Sequence, residues 1–438
     1  MLPYTIGCCR LSVRRFALLL AAASLAASSH LAAQVRPLGD EAVVVSGEEG
    51  WGSCPVVAGH DDGSAVVLRS HGALLEGGEL LSVSAAVDGS FSSDHLLDPG
   101  AGADAYTRVT ATADGYVAVW RLPGIWLSPG WSLLGEYAGV ALDAAGAATS
   151  APVLLHHRYG SVSPRRIGGY VATTQSAGRN GLDVQLLSPL GEAVSAPAAV
   201  VRTRWDTVAI PQAVLHRPDG RFTVLWTELR QVAGRDAWLG TWMRRVSAGG
   251  RPVGPVVRLL PAPPPGMQRR VSAAIAADGT LVLAWAELAT VHPRLRTFTA
   301  TGIPLGRTVS IFNRSAFVQA LSFGAGGDVL VLWQVSGVPW PERPIQASLF
   351  SRRGEPRGAA VELASGASAA NPQMLCADVA STGSGPDGES WLVFWLASDL
   401  PANDFRIFAR RFVFDSAAGA AVRTRDFVDE LPGVGGGS

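Results

Sequence analysis

A chain of 438 residues with 36 basic and 36 acidic side chains has no net formal charge, and every basic residue is Arg. Without a basic cluster it lacks the phosphate-neutralising surface that dominates nucleic-acid affinity, and the polybasic stretch that draws proteins to anionic membranes. After the N-terminal segment no run of about 20 apolar residues occurs, so no membrane-spanning helix is expected and the mature chain should be soluble.

In chain order, residues 1–33 read as a signal peptide. Arg10, Arg14 and Arg15 precede an apolar run from Phe16 to Ala27, and small residues follow it. Cleavage after Ala33 leaves Gln34 as the new terminus, and a site near Ser29 is the other option. An uncleaved anchor is the alternative reading. Cys8 precedes the apolar run, where a lipobox cysteine would have to follow it. The expected compartment is therefore the periplasm or the cell exterior, in a bacterium whose abundant Ala, Gly and Arg match a GC-rich genome. Removing the segment takes away three Arg and no acid, leaving the mature chain slightly acidic.

Arg36-Pro-Leu-Gly39 followed by Glu41-Ala-Val-Val-Val45 comes next, and has the form of the second half of a repeat that otherwise begins later. The repeat is a turn of the Asp-Gly or Gly-Gly type followed by a short apolar run that usually ends in Trp. Its copies are Asp62-Gly63 to Leu68, Asp114-Gly115 to Trp120, Gly168-Gly169 to Ala172, Asp219-Gly220 to Trp226, Asp278-Gly279 to Trp285, Gly327-Asp328 to Trp333 and Asp387-Gly388 to Trp395. A period of roughly 50 residues holding a hairpin and two further strands marks a propeller blade. The expected fold is all-β: a seven-bladed β-propeller of four-stranded antiparallel blades, with six or eight blades as the alternative because the third repeat is weak.

Asp-Gly suits a two-residue hairpin in which both central residues take positive φ. A second turn of the Gly-x-Pro-x-Gly kind, as in Gly302-Ile-Pro-Leu-Gly306, leads to the outer strand. The second strand is apolar throughout rather than alternating, which implies cover on both faces by neighbouring blades. Trp120, Trp226, Trp285, Trp333 and Trp395 would fill the wedges between blades; a ring of ligand-stacking aromatics is the rival reading. The single domain spans 34–427, with blades at 54–103, 104–160, 161–208, 209–268, 269–317, 318–374 and 375–427. Residues 36–46 would cross to blade seven and close the ring, unless a strand near 420–427 already occupies that edge. The tail 428–438 is expected to be disordered.

Cys8 and Cys9 leave with the signal segment, so Cys54 and Cys376 allow one disulfide at most. They open the inner strands of the first and seventh repeats, which are adjacent if the ring closes. A bond there would clasp a loop of over 300 residues. Two separate buried thiols are the alternative if the inner strands lie beyond the ~7 Å reach between Cα atoms.

On the Asp-Gly, Val-Val-x-Trp and Gly-x-Pro-x-Gly elements, the chain from 36 to 427 resembles secreted bacterial β-propeller repeat proteins, mostly without assigned function. The resemblance implies the fold and carries no catalytic identity.

In an up-and-down blade the first-to-second and third-to-fourth turns share one face, and here both are short. The other face carries long, varied loops, where binding residues usually lie. Its candidates are Trp126 and Trp131, Trp205, Arg235 and Asp236, His292 and Arg294, and Trp340 with Arg343. An exposed Trp among charges suits a sugar or a peptide: the ring is a flat apolar platform and the charges give directional hydrogen bonds. The competing reading is that these Trp fold back to cap the blades. Glu228 and Glu287, each two residues past a terminal Trp, are the carboxylates an enzyme would use on a glycoside. No residue set has metal-ligand spacing, and neither a metal nor another cofactor is expected. The expected function is that of an exported, monomeric binding or interaction module for a carbohydrate or protein partner. A glycan hydrolase or lyase with an axial site and a structural envelope protein are the alternatives.

Overall fold

The computed structural model describes residues 35–47, 54–71, 79–87, 90–99, 107–122, 136–155, 161–176, 180–232, 235–263, 269–287, 292–336, 344–364, 372–385, 388–399 and 404–414. These residues form seven four-stranded antiparallel sheets and no helix. The N-terminal strand is β1 (Val35–Gly47). Blade 1 comprises β2 (Val56–Gly59), β3 (Ala65–His71), β4 (Glu79–Ala85) and β5 (His95–Asp98). Blade 2 comprises β6 (Arg108–Ala111), β7 (Tyr116–Arg121), β8 (Tyr137–Leu142) and β9 (Val153–Leu155). Blade 3 comprises β10 (Ser161–Pro164), β11 (Tyr170–Gln175), β12 (Gly181–Leu187) and β13 (Ala198–Arg202). Blade 4 comprises β14 (Thr207–His216), β15 (Phe222–Val232), β16 (Arg235–Val246) and β17 (Pro252–Leu260). Blade 5 comprises β18 (Arg269–Ile275), β19 (Leu281–Glu287), β20 (Arg294–Phe298) and β21 (Val309–Ser310). Blade 6 comprises β22 (Ala316–Phe323), β23 (Val329–Val335), β24 (Ile345–Phe350) and β25 (Val361–Ala364). Blade 7 comprises β26 (Pro372–Gly385), β27 (Gly388–Asp399) and β28 (Asp404–Phe414), with β1 as its outer strand.

The count is seven, and the weak third repeat forms a complete blade. β1 lies antiparallel on β28, from Val35 opposite Phe414 to Gly47 opposite Phe405. First and last segments thus share one sheet, and the ring closes without an open edge there. Residues near 420–427 lie outside the described residues. Blades 4, 6 and 7 begin a few residues earlier than the repeat boundaries suggested, at Thr207, Ala316 and Pro372.

In blades 1, 3, 4, 5 and 6 the tight turns differ from the two-residue hairpins expected. In blade 1 the Gly63 N–H donates to the His60 carbonyl at 3.1 Å, and the His60 N–H to the Ser64 carbonyl at 2.8 Å. The loop is therefore a four-residue turn ending in a left-handed Gly63, with φ of 99°. Only the glycine needs positive φ in this geometry. The Asp before it acts instead as an acceptor. Asp62 Oδ1 takes the Ser64 N–H at 2.8 Å, and Asp219 and Asp278 repeat the contact on Arg221 and Thr280.

Seven apolar clusters hold the ring, one at each seam. The terminal Trp of a blade faces the blade before it. Trp120 packs with Val66, Leu68 and Leu80 of blade 1, and Trp226 with Val171, Leu182 and Val184 of blade 3. Trp285 meets blade 4, Trp333 meets blade 5, and Trp391 and Trp395 meet blade 6. All five terminal Trp are 5% exposed or less, so they are wedge residues and not a ligand-stacking ring. Blades 1 and 3 lack the Trp, which leaves seams 7–1 and 2–3 to be filled otherwise. At seam 2–3 Tyr137 and Tyr170 do this; Tyr170 lies over Gly139, where a Cβ would fall 2.6 Å from its ring. At seam 7–1 Phe394 packs with Val57 and Val67, and Cys54 is bonded to Cys376 with Cα atoms 5.7 Å apart.

Candidate functional site

On the tight-turn face, polar side chains are spent on linking blades. His60 Nε2 donates to the Gly115 carbonyl of blade 2 at 3.0 Å, and Arg165 to the Ala248 carbonyl of blade 4 at 3.0 Å. Arg352 of blade 6 donates to Thr280 of blade 5 at 2.7 Å and pairs with Asp278. Glu389 of blade 7 accepts the Gly326 N–H of blade 6, and Arg411 donates to the Gly63 carbonyl of blade 1 at 2.8 Å. A depression of about 670 Å³ opens at the tight-turn end of seam 2–3, lined among others by Asp61, Asp114, Arg166, Ile167 and Tyr170.

Three ionisable groups lie on inner strands, Arg108 close to the other two, and none of them stands out in the sequence. Arg108 is on β6, His216 on β14 and Asp378 on β26. His216 Nε2 is 3.0 Å from Ser163 Oγ, across seam 3–4. Asp378 accepts the N–H of Val57 across seam 7–1, and that of Val379, both at 2.9 Å. Burial raises the Asp378 carboxyl to about 6 despite those two donors and the nearby Arg108. Burial, helped by Arg165, Arg166 and Arg108, depresses the His216 imidazole to about 3. No signal in one sequence marks such residues, because their partners come from other blades.

Opposite pH dependences follow. The raised Asp378 carboxyl contributes stability that is fully present below its unfolded value near 3.8 and is lost as pH rises through about 6. The depressed His216 contributes stability present above 6.5 and lost as pH falls toward about 3. Asp378→Asn is therefore expected to raise Tm at pH 8, by at most about 3 kcal/mol in stability, and to change little at pH 4. His216→Gln should instead reduce the loss of stability below pH 6.5. Thermal melts of both variants from pH 4 to 8 check this, and a Tm for Asp378→Asn unchanged at pH 8 would refute the buried-charge account.

The long-loop face presents a different picture at seam 3–4. Trp205 stands in the connection from β13 to β14 and is 90% exposed. Its turn is held on both sides: the Thr207 N–H donates to the Arg204 carbonyl at 3.1 Å, Thr203 Oγ1 to the Thr207 carbonyl at 2.7 Å, and Asn180 Nδ2 to the Arg204 carbonyl at 2.8 Å. Arg202 pairs with Asp183 at 2.5 Å and Arg230 with Asp206 at 3.3 Å. Thr207 lies opposite Arg230, so the β15–β16 hairpin rises beside this turn, with Val232 opposite Arg235 and Gln231 opposite Asp236 at its tip. The backbone thus brings Trp205, Arg235 and Asp236 to one end of blade 4. The side chains of Arg235 and Asp236 are outside the described residues.

His292 and Arg294 are exposed at the same face of blade 5, the next blade. Trp126, Trp131, Trp340 and Arg343 lie outside the described residues. Glu228, half-buried on β15, accepts the Trp226 Nε1–H at 3.3 Å; burial raises its carboxyl, opposed by that bond and by Arg258. Glu287 sits on the neighbouring blade opposite Arg269 in the strand register, and its side chain is outside the described residues. Among the described residues no three His, Cys, Asp or Glu side chains gather as a metal ion would need, and no helix is long and apolar enough to cross a membrane.

The fold defines a seven-bladed β-propeller with an aromatic, charged patch on its long-loop face. No family model matches the sequence, and no curated protein matches it. Among solved structures the chain is similar to a polysaccharide lyase described as an ulvan lyase, at 11% identity over 86% of this chain and 94% of that one, TM-score 0.45. It is similar to the β-propeller domain of the Trilobed protease from Pyrococcus furiosus, at 9% identity over 84% and 96%, TM-score 0.45. It is also similar to a puromycin hydrolase, at 14% identity over 83% of this chain and 53% of that one, TM-score 0.43. At these values the likenesses carry no functional argument.

Proposed function

We propose that this propeller is an exported bacterial binding module that holds a carbohydrate on its long-loop face, with Trp205 as the stacking platform. One observation carries the reading: a Trp that is 90% exposed on a turn fixed by three hydrogen bonds. A loop Trp that merely capped a blade would be buried, as the wedge Trp are. An indole kept in water has an unfavourable exposed surface, which a sugar face or an apolar partner group relieves. Because the turn is already ordered, little conformational entropy is lost on binding. On the tight-turn face, by contrast, His60, Arg165, Arg352 and Arg411 are engaged between blades. The basic and apolar character of residues 1–33 motivates the exported compartment.

A panel of neutral and charged polysaccharides, tested by affinity electrophoresis or calorimetry with the chain from Gln34, examines this. Trp205→Ala is expected to leave Tm unchanged and to weaken binding by about 1–3 kcal/mol, a typical stacking contribution. Binding that survives the substitution would remove Trp205 from the site, and binding of a protein ligand in place of any glycan would replace the carbohydrate reading. Product release would favour a hydrolase or lyase, with Glu228 as the first residue to substitute.

A further inference from the structure

We infer that the ligand of this face is an acidic glycan, one bearing carboxylate or sulfate groups. This rests on the carbohydrate reading above and adds the charge of the ligand to it.

Three guanidinium groups surround the Trp205 turn. Arg204 precedes the indole, Arg202 ends the strand leading to it, and Arg230 lies opposite Thr207 in the neighbouring strand. Arg202 and Trp205 are three residues apart, so their Cα atoms lie within roughly 10 Å. Two of these cations are paired with carboxylates, and in each pair the carboxylate is the more withdrawn member. The Asp183 side chain is 14% exposed against 42% for Arg202, and Asp206 is 24% exposed against 36% for Arg230. In both described pairs the arginine is therefore the member turned more toward water.

The arginines are only partly used by these contacts. Arg202 directs a single nitrogen, Nη1, to Asp183, to Ser176 Oγ at 2.8 Å and to the Val201 carbonyl at 3.3 Å. Its other two nitrogens have no hydrogen-bond partner among the described residues. Arg230 meets Asp206 through Nε, which is itself buried, so the exposed part of that side chain lies elsewhere on it. Arg204 is exposed, and its guanidinium has no partner among the described residues. A guanidinium pre-oriented on one edge and open on another suits a planar carboxylate or a sulfate, which it binds through two parallel hydrogen bonds. A neutral sugar would stack on Trp205 and leave these groups in water, whereas an acidic one would use both features at once. The whole chain has zero formal charge, so the patch is a local construction and not part of a general positive field.

The test compares matched pairs: polygalacturonate against its methyl ester for carboxylates, and carrageenan against agarose for sulfates. At low salt the acidic member of at least one pair is expected to bind about tenfold tighter, with the advantage shrinking as salt screens the exposed charges. Which pair shows it identifies the group. Arg204→Ala should reduce the advantage without changing Tm, leaving the share that Arg202 and Arg230 supply, and Arg204→Lys should restore it only in part, because an ammonium keeps the charge and loses the fork. Equal or tighter binding of the neutral members would overturn the acidic ligand while leaving the carbohydrate reading intact. Failure of all four and of the wider panel would overturn both.

Discussion

Breaking the bond between Cys54 and Cys376 is expected to lower stability by about 4 kcal/mol, within the usual range for a native disulfide and toward its upper end because the bridged loop is long. The two cysteines are 322 residues apart in sequence. Most of the chain is thereby restricted in the unfolded state, where the cross-link acts through lost chain entropy. A reducing agent, or the double variant Cys54→Ala/Cys376→Ala, should lower Tm by roughly 5 °C. Alanine is the appropriate replacement because Cys376 is 6% exposed within an apolar cluster, where a serine hydroxyl would be buried. The folded variant should still be a closed ring, since β1 remains paired with β28 and Arg411 with Gly63. Calorimetry with and without reductant decides the matter. An unchanged Tm would mean that the unfolded chain gains no freedom from the cut, contrary to the entropic account.

The second expectation contrasts two tryptophans 21 positions apart. Trp226→Ala should cost about 4 kcal/mol, the usual range for deleting a large buried aromatic being about 3–5. Trp226 is fully buried against Val171, Leu182, Val184 and Val200 of blade 3, and a close-packed interior of this kind relaxes only partly into the space a lost ring leaves. It also donates to Glu228, so its removal leaves a half-buried carboxyl without that donor and should raise the Glu228 pKa further. Trp205→Ala, in contrast, removes a ring that touches mostly water and should change stability by less than about 0.5 kcal/mol. Urea titrations of the two variants make the comparison. A cost for Trp205→Ala similar to that for Trp226→Ala would show that the exposed indole has a structural role and would remove it as a platform.

Both expectations turn on which blade a residue faces. The repeat of Asp-Gly turns and apolar runs is enough to read seven four-stranded blades, because each repeat is one supersecondary unit that must bury its faces against its neighbours. The terminal Trp can be read as wedges for the same reason: a strand apolar on both sides needs cover on both sides. The Asp-Gly pairs are less transparent. They allow several turn geometries, and the one adopted puts Asp to work as an acceptor for the N–H two residues on rather than in a positive-φ position. The candidate site is legible only in part. Trp205 stands out by its place in an inter-blade connection, but so do other loop Trp, and sequence alone does not separate an indole in water from one folded onto a blade.

The sequence by itself determined the local and periodic features of this protein: the strands, the blade repeat, the burial of Trp120, Trp226, Trp285, Trp333 and Trp395, and the short and long loops that divide the two faces. These depend on contacts within one repeat or between successive repeats, so period and pattern are sufficient to state them. Only the tertiary structure decided what depends on the ring being closed. Cys54 meets Cys376 because blades 1 and 7 become neighbours, at a seam where blade 1 supplies no Trp. His216 and Asp378 acquire their shifted proton affinities from burial, an effect that Arg108 on another blade reinforces at His216 and opposes at Asp378. Arg230 comes beside the Trp205 turn through strand pairing across 23 residues of chain, Thr207 opposite Arg230. In each case the partners are distant along the chain and are brought together by closure or register, which a one-dimensional pattern does not encode.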